Sequence, residues 1–212
     1  MAILFDWDGT LYDCVDTSVE VYSKVFEFFR LKPITRVRLR NNFEANWYNF
    51  YELNGLHRRF WLEADYLWFE HMRKREGETK LFPGCKEVLE ELHSSGKKIG
   101  LVSGGNRKRI IRFAKKEGIL KYFDTMVCFE DYKEGKPSPL PLLMALKKLG
   151  EKAKDSVYIG DLPDDIIAAR RAGMKAVAVT HGFCTSSRLK RAKPDYMING
   201  LKNILKVVRP LG

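Results

Sequence analysis

The sequence has no glutamine and only four cysteines. The few cysteines limit the metal sites and disulfides that the protein can form, and the missing glutamine bears on its source. The cysteines are far apart and form no Cys-x-x-Cys pair, which argues against a zinc site and a compact disulfide framework. We therefore expect packing roles for Cys14, Cys85, Cys128 and Cys184. Abundant lysine, arginine and glutamate without glutamine lean towards a thermophilic source, where an intracellular disulfide is the alternative.

Long apolar runs, low-complexity tracts and internal repeats are also missing. No run approaches the roughly 20 residues of a membrane span, and the chain starts on a strand-like run instead of a charged segment followed by an apolar signal stretch. We therefore expect a cytoplasmic protein with no membrane partner. With 212 residues, 45% of them hydrophobic, the chain can form one large core, or a core with a small insert.

Apolar β-like runs alternate with helical patterns along most of the chain. The β-like runs lie at about 2–6, 98–102, 125–129, 156–160, 175–180 and 195–198. The helical patterns lie at about 84–95, 106–118, 138–149, 163–172 and 200–208. Several β-like runs are apolar throughout, which is typical of strands covered by helices on both faces. The sequence therefore predicts an α/β fold with a parallel sheet, whose ligands bind at the carboxyl ends of the strands.

Residues 13–82 break this alternation because they show only helical periodicity. We predict helices near 16–31, 35–53 and 57–77, separated by Lys32-Pro33 and Asn54-Gly55. The predicted division is a core of residues 1–12 and 83–212 with a helical cap of residues 13–82. Both linkers of this cap would leave the core at the strand-end face, so we expect a lid over a site there, with most of its aromatic residues in its own core.

Two carboxylates follow the first strand directly, in Asp6-Trp7-Asp8-Gly9-Thr10. Acids one residue apart repel each other unless a cation or a shared proton compensates them. Mg²⁺ is the natural compensator because it prefers oxygen ligands. The alternative is two exposed aspartates in a turn, since Asp and Gly are ordinary turn formers.

Three later strand ends carry groups that phosphoryl transfer needs. Ser103-Gly104-Gly105-Asn106 offers a hydroxyl and backbone amides that could hold phosphate oxygens, although a helix N-cap and turn would use the same residues. Lys136 lies in a loop between prolines, and most lysines in so basic a chain serve only solubility. The third strand end is another acidic cluster, which helix capping could partly explain. Its sequence is Asp161-Leu162-Pro163-Asp164-Asp165.

In this order, Asp-x-Asp-Gly-Thr, Ser, Lys-Pro and Gly-Asp-x-x-x-Asp resemble the motifs of the haloacid dehalogenase-like hydrolase superfamily. The resemblance spans nearly the whole chain. The helical segment after the first motif is similar to the cap of the subgroup that includes phosphoglycolate phosphatases and β-phosphoglucomutases. The resemblance implies a Rossmann-like parallel sheet and a phosphatase that hydrolyses a small phosphorylated metabolite, such as a phosphoglycolate-like or sugar-phosphate-like monoester.

The resemblance also implies roles for individual residues. Asp6 would be the nucleophile that forms an aspartyl-phosphate, and Asp8 would be the general acid and base. Mg²⁺ would be held by a side-chain oxygen of Asp6, the backbone carbonyl of Asp8 and the carboxylate of Asp161.

The remaining implied roles concern the phosphoryl group and its surroundings. Ser103, the backbone amide of Gly104 and Lys136 would bind the phosphoryl group. Asp165 would hold Lys136 or a metal-bound water in place, and Thr10 would stabilise the turn.

Two positions depart from the family pattern, and two other functions compete with the phosphatase. Leu162 stands where relatives often have Ser or Thr, and Gly104-Gly105-Asn106 replaces a commoner Asn-Gly type, so both departures concern substrate geometry. A phosphomutase of the β-phosphoglucomutase type keeps the same aspartates and is the first alternative. A non-catalytic interaction module is another, but the complete set of acids and the lysine argues against it.

The net charge of +11 supports a further alternative. Residues 13–80 hold 12 basic and 11 acidic residues, so a charge of about +10 belongs to the rest of the chain. Six cations crowd one predicted helix, on what we interpret as its solvated face. Its cations are Arg107, Lys108, Arg109, Arg112, Lys115 and Lys116. A nucleic-acid-binding protein or a polynucleotide-end phosphatase would use such a surface, but no nucleic-acid-binding motif accompanies it. The sequence indicates no oligomeric state.

Overall fold

The structure, a computed structural model, describes residues 1–75 and 77–209. The strands in these ranges are β1 (Ala2–Phe5), β2 (Tyr12–Asp13), β3 (Lys80–Leu81), β4 (Lys98–Val102), β5 (Thr125–Val127), β6 (Val157–Gly160), β7 (Lys175–Val179) and β8 (Tyr196–Ile198). Six of them form one sheet in the order β5-β4-β1-β6-β7-β8, and every pairing in it is parallel. The predicted parallel α/β fold is confirmed, with strand ends within about two residues of the predicted ones.

The helices in the described ranges occupy two parts of the chain. Between β2 and β3 lie α1 (Val15–Phe28), α2 (Arg36–Asn42), α3 (Trp47–Leu53) and α4 (Trp61–Arg75). The others are α5 (Cys85–Ser94), α6 (Arg107–Lys116), α7 (Leu140–Leu149), α8 (Pro163–Ala172), α9 (Ser186–Arg191) and α10 (Ile204–Val208). The predicted helix 200–208 is a 3₁₀ turn at Leu201–Asn203 followed by the short α10.

The sheet positions the site through its central strand, β1. All four residues of β1 are fully buried, as expected for a strand covered on both faces. The chain runs from β1 to β4 on one side and later from β5 across to β6 on the other side, so the crossovers diverge beside β1. Such a divergence leaves a crevice at the carboxyl end of the strand, where ligands bind in open parallel sheets.

The segment between β2 and β3 forms its own aromatic core, as the sequence predicts. The ring of Tyr22 lies 5.3 Å from that of Phe50 and 6.0 Å from that of Trp68. β2 and β3 pair antiparallel with Tyr12 opposite Leu81, so both ends of the segment leave the sheet side by side. Sequence reasoning missed this small sheet because two-residue strands carry no periodicity.

The prediction of one helix over 35–53 is wrong, because the chain leaves the helix at Phe43. Phe43 adopts extended backbone angles, and its ring stacks 5.0 Å from that of Phe183. The N–H of Ala45 donates to Asp164 at 2.9 Å, and Asn46 then caps α3. Contacts with the sheet side therefore override the helical periodicity of this stretch.

The predicted helix 57–77 begins as a 3₁₀ turn at Arg58–Phe60, and α4 then ends at Arg75. Residue 76, which the prediction placed in this helix, lies outside the described residues. So do residues 210–212, the last residues of the predicted core. The division into a core and a cap stays a prediction. No helix of residues 1–75 and 77–209 is long and apolar enough to cross a bilayer. The four cysteines are buried, and none of them forms a disulfide.

Candidate active site

The parallel sheet brings three of the sequence motifs to one edge. Asp6 follows β1, Ser103 follows β4 and Asp161 follows β6, and these three strands are neighbours. The ladder continues one residue past β1, since the N–H of Asp6 donates to the carbonyl of Ile159 at 2.9 Å. The carboxylates are therefore held by backbone that belongs to the rigid part of the fold.

Lys136 lies in the loop before α7, and its side chain contacts residues of the first and the last motif. Its side chain is only 4% exposed. Its ammonium donates to Asp6 Oδ1 at 2.9 Å, to Asp165 Oδ1 at 2.6 Å and to the hydroxyl of Tyr158 at 2.9 Å. Three acceptors match the three donors of a lysine, so the ammonium is satisfied although it is buried. Tyr158 lies inside β6, where sequence reasoning assigned it to the core only.

Asp165 is fully buried and accepts hydrogen bonds at both oxygens. Besides Lys136, it binds the backbone N–H groups of Asp161 at 3.1 Å and Leu162 at 2.9 Å through Oδ2. Asp161 and Leu162 directly precede α8 and Asp165 lies in its first turn, so these two bonds fix the start of the helix, which is the part that the capping interpretation explains. Gly160 makes room for this carboxyl, since a Cβ there would lie 2.3 Å from Asp165 Cγ.

Asp161 lies in a cradle of backbone and glycines. Thr10 Oγ1 donates to its Oδ1 at 3.1 Å, and the N–H of Phe183 donates to its Oδ2 at 2.6 Å. A Cβ at Gly9 or at Gly182 would approach Asp161 Oδ2 to 2.5 or 2.2 Å. Only glycine lets these two loops close around the carboxylate. Thr10 thus contacts Asp161 directly as well as lying in the turn after β1.

The groups at this edge of the sheet carry an excess of negative charge, which a divalent cation would compensate. Oxygens of Asp6, Asp161 and Asp165 lie within 4.8 Å of one another. Burial raises the pKa of Asp6 to about 7, against the lowering effect of Lys136, and it also raises the pKa of Asp161. Three carboxylates face one ammonium, which leaves two negative charges uncompensated. A hard divalent cation such as Mg²⁺ fits this donor set.

The carboxylate oxygens of Asp6, Asp161 and Asp165 differ in the number of hydrogen bonds that they already accept, and therefore in their capacity to bind a metal. Both oxygens of Asp165 are already engaged by Lys136, Tyr158 and two backbone amides. Asp6 uses one oxygen for Lys136. Asp161 accepts only one hydrogen bond at each oxygen, whereas Asp165 accepts two at each. Asp6 and Asp161 therefore keep lone pairs that could hold the cation, and Asp165 is better suited to fixing Lys136.

Asp8 is paired with a residue that the sequence analysis assigned to a solvated helix face, and that assignment of Arg109 is wrong. Arg109 binds both oxygens of Asp8, with Nη1 2.9 Å from Oδ1 and Nη2 2.5 Å from Oδ2. Its side chain is 9% exposed. Arg109 adjoins Ile110 and lies one turn before Phe113, so it shares the buried side of α6. That spacing is the sequence signal that could have found it.

Gly105 explains part of the departure from the commoner family motif. A Cβ at this position would lie 2.6 Å from Arg109 Nη2 and 3.1 Å from Asp8 Oδ2. The N–H of Gly105 also donates to Ser103 Oγ at 3.0 Å, which leaves the hydroxyl hydrogen of Ser103 free to point elsewhere. The second glycine of the motif therefore accommodates the Arg109–Asp8 pair.

A cleft opens above these groups, between the sheet edge and helices α1, α3 and α4. It encloses about 840 Å³, including space at its open mouth. Asp6, Asp8, Ser103, Gly104 and Lys136 form its floor. Ser103 and Gly104, which carry no titratable group, lie beside the carboxylates and Lys136 in this floor.

Comparison with known proteins identifies the family of the chain. The family model described as haloacid dehalogenase-like hydrolase matches residues 3–179. The pyrophosphatase PpaX of Oceanobacillus iheyensis is 29% identical over 210 residues, which cover 97% of this chain and 95% of that protein. The phosphoglycolate phosphatase of Vibrio parahaemolyticus is 26% identical, with 97% and 95% covered.

A solved structure shows the same fold. The haloacid dehalogenase-like family hydrolase from Streptococcus pneumoniae superposes with a TM-score of 0.80 at 24% identity, covering 97% of each chain. Since the family match spans most of the sequence, the chain belongs to the haloacid dehalogenase-like hydrolase family, and it is an enzyme.

Proposed function

We propose that this hydrolase is a Mg²⁺-dependent phosphatase of small phosphomonoesters that works through an aspartyl-phosphate on Asp6. One observation carries the proposal. Asp6 shares Lys136 with Asp165 and lies beside Asp161, at the floor of a cleft with two uncompensated negative charges. A carboxylate nucleophile needs such neighbours, because it must meet an anionic phosphoryl group without repelling it.

In the first step, the carboxylate of Asp6 attacks phosphorus and the leaving alkoxide departs. Lys136 holds one Asp6 oxygen and supplies positive charge where the phosphoryl oxygens gather. The free hydroxyl hydrogen of Ser103 and the backbone N–H of Gly104 bind other phosphoryl oxygens. These donors are fixed by the sheet and by the Gly105 contact, so little reorganisation accompanies the reaction.

Asp8 moves the protons in both steps. It protonates the leaving oxygen as the first bond breaks, and then accepts the proton of the water that attacks the aspartyl-phosphate. Arg109 orients Asp8 at the edge of the cleft and occupies one lone pair of each carboxylate oxygen, so the other lone pairs can take up and release the proton.

Asp6, Asp161 and the backbone carbonyl of Asp8 would hold Mg²⁺, with Thr10 fixing Asp161. The cation would neutralise phosphoryl charge as a Lewis acid. Asp165 would keep Lys136 aligned with Asp6.

The helical segment 13–82 would act as a cap on a core of residues 1–12 and 83–212. Its residues form the part of the cleft that faces the organic half of a substrate. The relatives named for pyrophosphate and phosphoglycolate support a small phosphorylated substrate. A phosphomutase would need the same floor, so the distinction depends on whether phosphate is released to water.

The test is phosphate release from p-nitrophenyl phosphate and a panel of metabolite phosphates, with Mg²⁺ and with EDTA. We expect release by the native chain with Mg²⁺, and none with EDTA or from the Asp6→Asn variant. Release that survives both EDTA and Asp6→Asn would contradict the proposal. Transfer of phosphate between sugar positions without release would favour the mutase.

A further inference from the structure

The wall of the cleft opposite the catalytic acids is aromatic. Six aromatic residues of the segment 13–82 line the cavity, namely Tyr22, Phe43, Trp47, Tyr51, Trp68 and Phe69. The ring of Tyr22 packs 5.9 Å from that of Phe43 and 6.0 Å from that of Trp68, and the ring of Trp47 packs 5.4 Å from that of Tyr48. A wall of mutually packed rings is rigid, and it offers flat apolar surface to a ligand.

This wall lacks the cation that an acidic leaving group would need. Within the described residues, the segment 13–82 contributes no lysine, arginine or histidine to the cleft lining. The two cations on the floor, Lys136 and Arg109, are already paired with Asp6, Asp165 and Asp8. A separate shallow groove outside the cleft holds further basic residues and shares only Phe69 and Arg109 with it.

The wall carries a carboxylate instead. Asp65 accepts hydrogen bonds from Trp47 Nε1 at 2.9 Å, from the hydroxyl of Tyr48 at 2.8 Å and from the hydroxyl of Tyr51 at 3.0 Å. Three donors hold this group as an acceptor, and it lines the cleft. A second carboxylate or phosphate on the substrate would meet like charge at this wall.

Two polar atoms of the wall have no partner within the described part of the chain. They are Ser18 Oγ and Trp68 Nε1, both buried in residues that line the cleft. Buried polar groups are rarely left unsatisfied, so these atoms are suited to a ligand. The indole N–H can only donate, which calls for a hydrogen-bond acceptor on the substrate.

We infer that the leaving group of the substrate is an uncharged aromatic alcohol that carries a hydrogen-bond acceptor. Carboxylate-bearing or phosphate-bearing leaving groups, as in phosphoglycolate and pyrophosphate, are poor substrates of this chain. The inference rests on the proposed phosphatase function and names its substrate class. The ring lies among Tyr22, Trp47 and Trp68, and the acceptor faces Trp68 Nε1.

Matched esters test this selectivity. Benzyl phosphate and phosphoglycolate are both phosphomonoesters of primary alcohols. The first carries an aromatic ring where the second carries a carboxylate. Cyclohexylmethyl phosphate separates aromatic character from mere bulk. We expect kcat/KM for benzyl phosphate to exceed that for phosphoglycolate by about tenfold or more, with the cyclohexyl ester between them. Equal or better turnover of phosphoglycolate would overturn the inference and leave the phosphatase function standing.

Variants assign the selectivity to the wall. Trp68→Leu should reduce the preference for benzyl phosphate, and Asp65→Asn should raise kcat/KM for phosphoglycolate. Tyr66→Leu is the matched control, because Tyr66 lies on the same helix and is 66% exposed. An unchanged preference in both wall variants would contradict the assignment.

A binding measurement keeps the inference separate from catalysis. Benzylphosphonate and phosphonoacetate cannot be hydrolysed, and tryptophan fluorescence reports their binding at Trp47 and Trp68. We expect benzylphosphonate to bind more tightly by about tenfold or more. If no ester releases phosphate, the proposed function fails. The binding comparison still shows whether the cleft prefers an aromatic ring or a carboxylate. Tighter binding of phosphonoacetate would overturn the inference.

Discussion

Arg109 holds both carboxylate oxygens of Asp8, although the two residues are 101 positions apart in the chain. The pair sits at the edge of the cleft, where Cys14 Sγ also approaches Asp8 Oδ1 at 3.5 Å. A bidentate guanidinium fixes the plane of a carboxylate as well as its position. Arg109 therefore orients the group that we propose as the general acid and base.

Replacing Arg109 by methionine should lower kcat most for substrates with poor leaving groups. Alkyl phosphates need a proton on the departing oxygen, whereas p-nitrophenolate leaves without one. We expect a loss of about 10–100-fold for alkyl phosphates, the size seen for residues that orient catalytic groups. Steady-state rates over a series of leaving groups check this. Lys115→Met on the exposed side of α6 is the control, and equal losses for all esters would argue against orientation of Asp8.

Gly105→Ala should reproduce the Arg109 variant with little loss of stability. The added Cβ meets the tip of the Arg109 side chain, which can move away, but this movement breaks the contact with Asp8. The same series of leaving groups and a urea denaturation curve measure the two effects. Gly200→Ala serves as the control, since a Cβ there has nothing within 4 Å. Native kinetics in Gly105→Ala would mean that the pair is dispensable.

Lys136→Met should destabilise the protein by about 3–5 kcal/mol, because it leaves buried carboxylates without their cation. Asp6 and Asp165 both lose their ammonium partner in this variant. Urea denaturation monitored by tryptophan fluorescence gives the free energy of unfolding. The exposed Lys133→Met, three residues earlier, should stay within about 0.5 kcal/mol of the native chain. A loss below 1 kcal/mol for Lys136→Met would contradict the described network.

His181 should make stability depend on pH near neutrality. Burial lowers its pKa, and its Nε2 lies 3.1 Å from the carbonyl of Thr10. The folded state thus keeps the ring neutral while the unfolded chain takes up a proton near pH 6.5, so this contribution is present above that pH and is lost as the pH falls. Unfolding free energies should show the native advantage over His181→Gln shrinking from pH 7 to pH 5. A difference between the native chain and His181→Gln that stays constant from pH 7 to pH 5 would refute the assignment.

The sequence was sufficient for the sheet and for most of the candidate site. Strands buried on both faces are apolar throughout, and parallel strands end at one edge, so Asp6, Ser103 and Asp161 could be placed together from their positions alone. Lys136 follows the same logic less directly, because its reach to Asp6 depends on the shape of a loop.

Contacts between distant segments account for what sequence reasoning missed. Arg109 looked like one cation among six on α6, but pairing with Asp8 and the space at Gly105 draw it inside. Arg107 of the same helix is paired with Asp131. The basic surface that favoured nucleic acid is therefore smaller than the sequence indicates. The end of α2 at Phe43 likewise depends on stacking against Phe183, a residue far away in the sequence.

The most direct test of the account is the covalent state of Asp6 during turnover. The enzyme is mixed with a phosphomonoester and Mg²⁺, quenched in acid and digested with pepsin at acidic pH, and the mass of the peptide that contains Asp6 is measured by mass spectrometry. The account predicts that this peptide gains the mass of one phosphoryl group, located on Asp6, and that the gain is absent from Asp6→Asn. Turnover at native rate by Asp6→Asn, or a phosphoryl group found on another residue, would contradict it.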